Sequence, residues 1–171
     1  MPTIKSSTQG FTLIELLIVI AIISILAAVV FVALDPLTRF KDSRDAKRWA
    51  DVTAILTAIK VDQVDNGGTY TSAINGISSG QVYMITDGAN TSNNCDLANA
   101  YCVTDVGGSG NCVDLSELQT QGYIGSIPVS PNGEGGWKAS LTGYTIEKGS
   151  NGIITIRACE AENTNEIKSA R

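Results

Sequence analysis

Between Phe11 and Leu34 the chain offers water almost nothing: only Thr12, Glu15 and Ser24 are polar in these 24 residues. As an α-helix the run measures about 36 Å, enough to cross a hydrocarbon core of about 30 Å with some tilt. Beyond Gly67 the character reverses, and the chain becomes polar and rich in Gly, Ser, Thr and Asn. The unremarkable 43% hydrophobic content of the 171 residues therefore averages two unlike halves, a single domain with an appended segment.

What precedes the apolar run is as informative as the run. A secretory signal has a shorter apolar region followed by a small-residue cleavage site. Here the order is reversed: the polar leader MPTIKSSTQG comes first and ends in glycine. A cut after Gly10 would remove the leader and leave the membrane segment at the new N-terminus. Orientation is contested by two signals. Lys5 and the α-amine precede the run, whereas Arg39, Lys41, Arg44, Lys47 and Arg48 follow it, and a positive-inside count would hold the following side in the cytoplasm. The four cysteines, Cys95, Cys102, Cys112 and Cys159, argue the opposite. None forms a CxxC pair, all lie in the Gly/Asn-rich half, and an even number there points to two disulfides in an oxidising compartment. Three pairings are open, and the cysteine argument is preferred to the charge count.

The stretch GFTLIELLIVIAIISILAAV closely resembles the class III signal of type IV prepilins and type II secretion pseudopilins. The resemblance rests on Gly10 before the cut, Phe11 after it, Glu15 at the fifth position of the mature chain, and the unbroken apolar helix. It implies that a prepilin peptidase cuts after Gly10 and methylates the amine of Phe11, and that the following domain faces away from the cytoplasm. It also implies partners: other copies and related pilins, the peptidase, and an assembly platform with its ATPase. The expected location is a single-pass inner-membrane protein that later enters a cell-surface filament. An unpaired carboxylate costs about 2.5–3.5 kcal/mol at the centre of a bilayer and less near its edge. In a filament, Glu15 can meet the positive amine of a neighbouring Phe11, so Phe11 and Glu15 are the candidate assembly residues.

Several classes of chemistry are disfavoured. The chain has no histidine, which removes Ser-His-Asp and Cys-His nucleophiles and His-containing zinc sites. No constellation of lysines or carboxylates replaces them, so no catalytic residue is assigned and the chain is not expected to be an enzyme. The net charge of −5, without a basic stripe interleaved with aromatics, argues against nucleic acid as primary partner. Major pseudopilins often bind calcium after a YIxxIPxxP segment, similar to YIGSIPVSP here. The corresponding loop offers only Glu134, Asn132 and backbone oxygens, too few hard anionic ligands. No metal or other cofactor is expected. Asn90-Thr91-Ser92 matches a glycosylation tripeptide, a common coincidence.

The expected fold is α+β, a pilin fold whose long N-terminal helix packs against a small antiparallel head. The divisions are a leader at 1–10, a membrane or filament-core helix at 11–34, its continuation at 35–66, and the head at 67–171. Pro36 removes a backbone donor, so the helix kinks, melts locally or restarts there, with Asp35 as N-cap in the last case. Asp35 with Arg39, Lys41 with Asp45, and Lys47 with Asp51 stand four apart and read as a solvated or intersubunit ion-laced face. Trp49, Val52, Leu56 and Ile59 read as the core-facing stripe. TYTSAI and QVYMITD read as strands, DLSELQTQG as a short helix between Asp114 and Gly122, and TGYTIEKGSNGIITIRA as a hairpin. Three or four antiparallel strands follow. The favoured cysteine pairing is Cys112 with Cys159, leaving Cys95 with Cys102 as a short local loop.

Three functions fit. The first is a structural subunit of a pilus-like filament serving adhesion, motility or DNA uptake. The second is a pseudopilin of a type II secretion system, disfavoured by the sparse acidic loop and the cysteines. The third, a membrane-tethered monomeric binding module, gives Glu15 and the Gly10-Phe11 junction nothing to do.

Overall fold

The computed structural model describes residues 10–88 and 94–171. The leader before Gly10 and the Asn90-Thr91-Ser92 tripeptide lie outside the described residues. The chain forms two compact units, one ending at Arg39 and the other starting at Phe40.

In the first unit, helix α1 runs over Leu13–Leu34 and buries none of its residues. It is long and apolar enough to cross a membrane. Its one internal hydroxyl, on Ser24, donates to the carbonyl of Ile20 at 2.7 Å, so that hydroxyl is satisfied within the helix. α1 stops because a residue before proline is pushed out of the right-handed helical region. Asp35 has left the right-handed helical region, at φ 35°, and α2 begins at Pro36 and ends at Asp65. Asp35 then caps the new helix. Its carboxylate accepts from the Thr38 hydroxyl at 2.6 Å and its carbonyl from the Arg39 N–H at 3.3 Å.

The second unit is built on α2. Its inward residues Val52, Ile55, Leu56 and Ile59 are buried against Ile146, Ile154 and Ile156 of a five-stranded sheet. The strands are β1 (Val82–Thr86), β2 (Cys112–Asp114), β3 (Tyr144–Lys148), β4 (Ile154–Ala158) and β5 (Lys168–Ala170), in the order β2-β1-β3-β4-β5. The expected hairpin is present as β3 and β4, with Ile146 opposite Ile156 and Gly152 at φ 80° in the turn. In β4, Ile154, Ile156 and Ala158 point inward and Thr155 and Arg157 do not, the period-two pattern of a half-buried strand.

The α+β class is as expected, but several details of the head differ. The sheet is not wholly antiparallel, since β2 runs parallel to β1 with Met84 opposite Cys112. The long connection from Thr86 to Cys112 carries the chain back to the other end of β1, which a tight turn could not do. β5 was not foreseen; its Lys168 sits on the exposed edge of the sheet, a usual protection of an edge. TYTSAI is not a strand. Ser72–Asn75 form a helical turn, α3, because Ile74 and Ile77, three apart, both turn into the core, while Asp62 accepts from the Thr71 N–H. The short helix α4 covers Ser116–Thr120 and Leu115, not Asp114, occupies its cap position. Asp114 still serves that end, accepting from the N–H of Ser116 at 2.8 Å, and Gly122 at φ 83° stands just beyond the helix.

Candidate functional site

The N-terminal site is assembled within four consecutive residues, Thr12 to Glu15. Thr12 is the N-cap of α1 and Glu15 occupies the third helical position, so the pair closes a capping box. The Thr12 hydroxyl accepts from the Glu15 N–H at 3.3 Å. In return, Glu15 Oε2 accepts from the Thr12 N–H at 2.8 Å and from its hydroxyl at 2.7 Å. Both bonds end on the same carboxylate oxygen. Among the described residues no hydrogen bond reaches Oε1, so Glu15 caps its own helix with only one of its two carboxylate oxygens. Thr12 was missed as a functional residue, although Thr-x-x-Glu ahead of an apolar run is a legible capping signal. Phe11 is 88% exposed, and Gly10 has nothing within 4 Å of where a Cβ would sit, nor a positive φ. Neither packing nor backbone conformation in the folded chain therefore requires glycine at position 10.

The head contains a second constellation, and it centres on Arg48, which the sequence reading had only counted among the bases after the apolar run. Arg48 is fully buried. Its Nε donates to Ser130 Oγ at 3.1 Å, and Nη1 to Asp45 at 2.8 Å and Glu162 at 2.8 Å. Nη2 donates to the Pro131 carbonyl at 3.0 Å and to Glu160 at 2.7 Å. All five guanidinium donors are thus matched. Glu162 is also gripped by Arg44, and that pairing, chiefly, holds its carboxyl down to about 2 against the opposing effect of burial. Asp51 accepts from the buried Tyr144 hydroxyl at 2.7 Å and from Lys47 at 2.6 Å. Burial, and then the Asp51 charge, push the Tyr144 hydroxyl well above its ordinary range. Of the three expected ion pairs only Lys47 with Asp51 has that geometry. Asp45 serves Arg48 instead, and Asp35 serves Thr38.

This centre also organises the loop that was weighed for calcium. Glu160 accepts from the backbone N–H groups of Gly133 at 3.2 Å and Glu134 at 2.9 Å, and from that of Gly135. Asn132 Oδ1 accepts from the Trp137 N–H at 2.9 Å. The loop therefore directs hydrogen-bond donors at an internal carboxylate, where a cation would need acceptors. The cysteines correct the expected pairing. The bonds are Cys95–Cys112 and Cys102–Cys159, separated by 17 and 57 residues. The reason lies in the parallel crossover: a 3₁₀ segment, Cys95–Tyr101, crosses back so that Cys95 meets the start of β2 and Cys102 the end of β4. Cys95, Cys159, Met84 and Trp137 bury together there as a second small core.

Residues 5–31 match the family model of the prokaryotic N-terminal methylation motif. The chain carries the class III signal of type IV pilins and pseudopilins. That motif implies removal of the leader by a prepilin peptidase, anchoring in a membrane through α1, and assembly with other chains of the pilin type. No curated protein and no solved structure matches the chain.

Proposed function

We propose that this prepilin-type chain is a structural subunit of a type IV pilus-like filament, cut after Gly10, methylated on Phe11, and assembled through α1. The observation that carries the reading is the half-used carboxylate of Glu15 at the head of an otherwise apolar 22-residue helix. Oε2 preorganises the helix terminus with Thr12, and Oε1 is left for the ammonium of a neighbouring mature N-terminus. In a low-dielectric core that attraction is far stronger than in water, and a lone subunit cannot satisfy it. The freedom around Gly10 supports the processing step, because the glycine answers to a peptidase and not to the fold. The pilus is favoured over a secretion pseudopilin by the 132–137 loop, whose N–H groups close on Glu160. Adhesion, motility or DNA uptake would follow from the filament, and no reaction is assigned to the subunit.

The test is mass spectrometry of fibres sheared from cells. A chain starting at Phe11 with one added methyl, recovered in long extracellular fibres, is the expected result. A chain that retains Met1, or is found only in the membrane fraction, refutes the filament reading.

A further inference from the structure

The second unit contains an open cleft of about 520 Å³, within the size range of small-ligand sites. Four segments of chain far apart in sequence meet there: the start of α2, the crossover at 101–103, the loop at 133–134, and residues 159–162 beyond β4. Each wall is pinned. The crossover is tied to the chain beyond β4 by the Cys102–Cys159 bond and by the Val103 N–H, which donates to the Cys159 carbonyl at 2.8 Å. The loop is held by its N–H groups on Glu160, and α2 by Arg44 on Glu162. A recess already fixed on all sides needs little ordering when a ligand enters.

Most charges around the cleft are engaged within the chain. Arg44 is committed to Glu162, and Glu160 to the buried Arg48. Two charges remain. Among the described residues, neither the Lys41 ammonium nor the Glu134 carboxylate has a partner, although both line the cleft and both are exposed. A purely anionic ligand would gain Lys41 but face Glu134, and a purely cationic one would meet the converse. A zwitterion satisfies both. Its charges must stand apart, because Lys41 and Glu134 belong to different segments and form no ion pair with each other. An amino acid carries its amine and carboxylate on one carbon, whereas a peptide separates them by about 3.3–3.6 Å for each residue. The same cleft presents Tyr101 and Val103, both exposed, as an apolar wall for a side chain.

We infer that this cleft is a binding site for a short apolar peptide with both termini free. The peptide's carboxylate meets Lys41, its ammonium meets Glu134, and a side chain lies against Tyr101 and Val103. The site belongs to the second unit alone and goes beyond the filament reading, which gives the head no ligand. The test is isothermal titration calorimetry on the full chain in detergent, with the titration into detergent alone subtracted. The probes are the dipeptide leucyl-leucine, its N-acetyl form and its C-terminal amide. The zwitterion should bind about fivefold more tightly than either blocked form, the size of effect one well-placed exposed ion pair supplies. Lys41→Ala should erase the difference between leucyl-leucine and its amide while keeping the difference from the N-acetyl form. Glu134→Ala should do the converse. Both side chains are exposed and unpartnered, so neither substitution should move the thermal unfolding of the head. No binding of leucyl-leucine at about 10 mM, equal affinities for the three probes, or preferences that survive the substitutions would each overturn the inference. None of these outcomes depends on fibres, so the filament reading stands or falls separately.

Discussion

Both units of this chain place ionised groups where water is scarce, and they resolve the cost in opposite ways. In the head, Arg48 is fully buried and every one of its donors meets an acceptor supplied by the same chain. In α1, the lone carboxylate of Glu15 is half satisfied, by Thr12 on one oxygen. A complete network makes a self-sufficient domain, and an incomplete one makes a part that needs another part. The contrast sets a head whose ionic centre is closed within the chain against a helix terminus with one carboxylate oxygen unused.

The largest effect should come from removing the incomplete group. Glu15→Ala is expected to reduce sheared fibre yield by an order of magnitude or more, because it removes the term that distinguishes a docked subunit from a free one. Membrane insertion should persist, and head stability in detergent should be unchanged. Normal fibre yield from this variant would erase the contrast between the two units. Removing the complete centre should do the reverse. Arg48→Met leaves Asp45 and Glu160 buried without their counter-ion and Glu162 with Arg44 alone, a loss of about 3–5 kcal/mol in head stability. Thermal unfolding of the detergent-solubilised chain, followed by near-ultraviolet circular dichroism, checks it, and a loss below about 1 kcal/mol, the worth of an exposed pair, would count against the centre.

How much of this was legible before folding depends on register. The α1 span and the methylation motif over residues 5–31 are local features, written in consecutive residues, and could be read directly. The β3–β4 hairpin was equally plain, from alternation on either side of a Gly-containing turn. The core stripe of α2 was read through Trp49, Val52, Leu56 and Ile59, yet Trp49 is 42% exposed. The series with the better helical register is Asp45, Arg48, Val52, Ile55, Ile59 and Asp62, all buried. It was hidden because charged residues at core spacing are normally discounted, and their partners Glu160 and Glu162 lie more than a hundred residues away. The disulfides failed for a related reason. Their pairing follows from the parallel crossover between β1 and β2, and nothing in the Gly/Asn-rich loop announces a parallel return.

That crossover gives the next prediction. In the chain-entropy picture, Cys102–Cys159, closing 57 residues, stabilises the head by about 4 kcal/mol, and Cys95–Cys112, closing 17, by about 3 kcal/mol. The paired Cys102→Ser, Cys159→Ser variant should therefore melt below the paired Cys95→Ser, Cys112→Ser variant. The two losses should not simply add, because the loops share residues 102–112 and each bond already limits the other in the unfolded chain.

The smallest effect is the most diagnostic of the complete network. Glu162 is held from its ordinary 4.5 down to about 2, mainly by Arg44 and then by Arg48. A carboxylate depressed in the folded state binds fewer protons there than in the unfolded state across that interval. Its stabilisation is thus fully present above about pH 4.5 and is lost as pH falls toward about 2. Glu162→Gln should start less stable at neutral pH, since Arg44 and Arg48 lose a charged partner, but should fall less steeply through the acid range. The two stability curves should converge as the pH approaches 2, because protonated Glu162 and glutamine then present similar neutral groups to the same two arginines. Parallel curves over that interval would mean that Glu162 titrates as an ordinary surface carboxylate, and that the head's ionic centre is looser than its hydrogen bonds indicate.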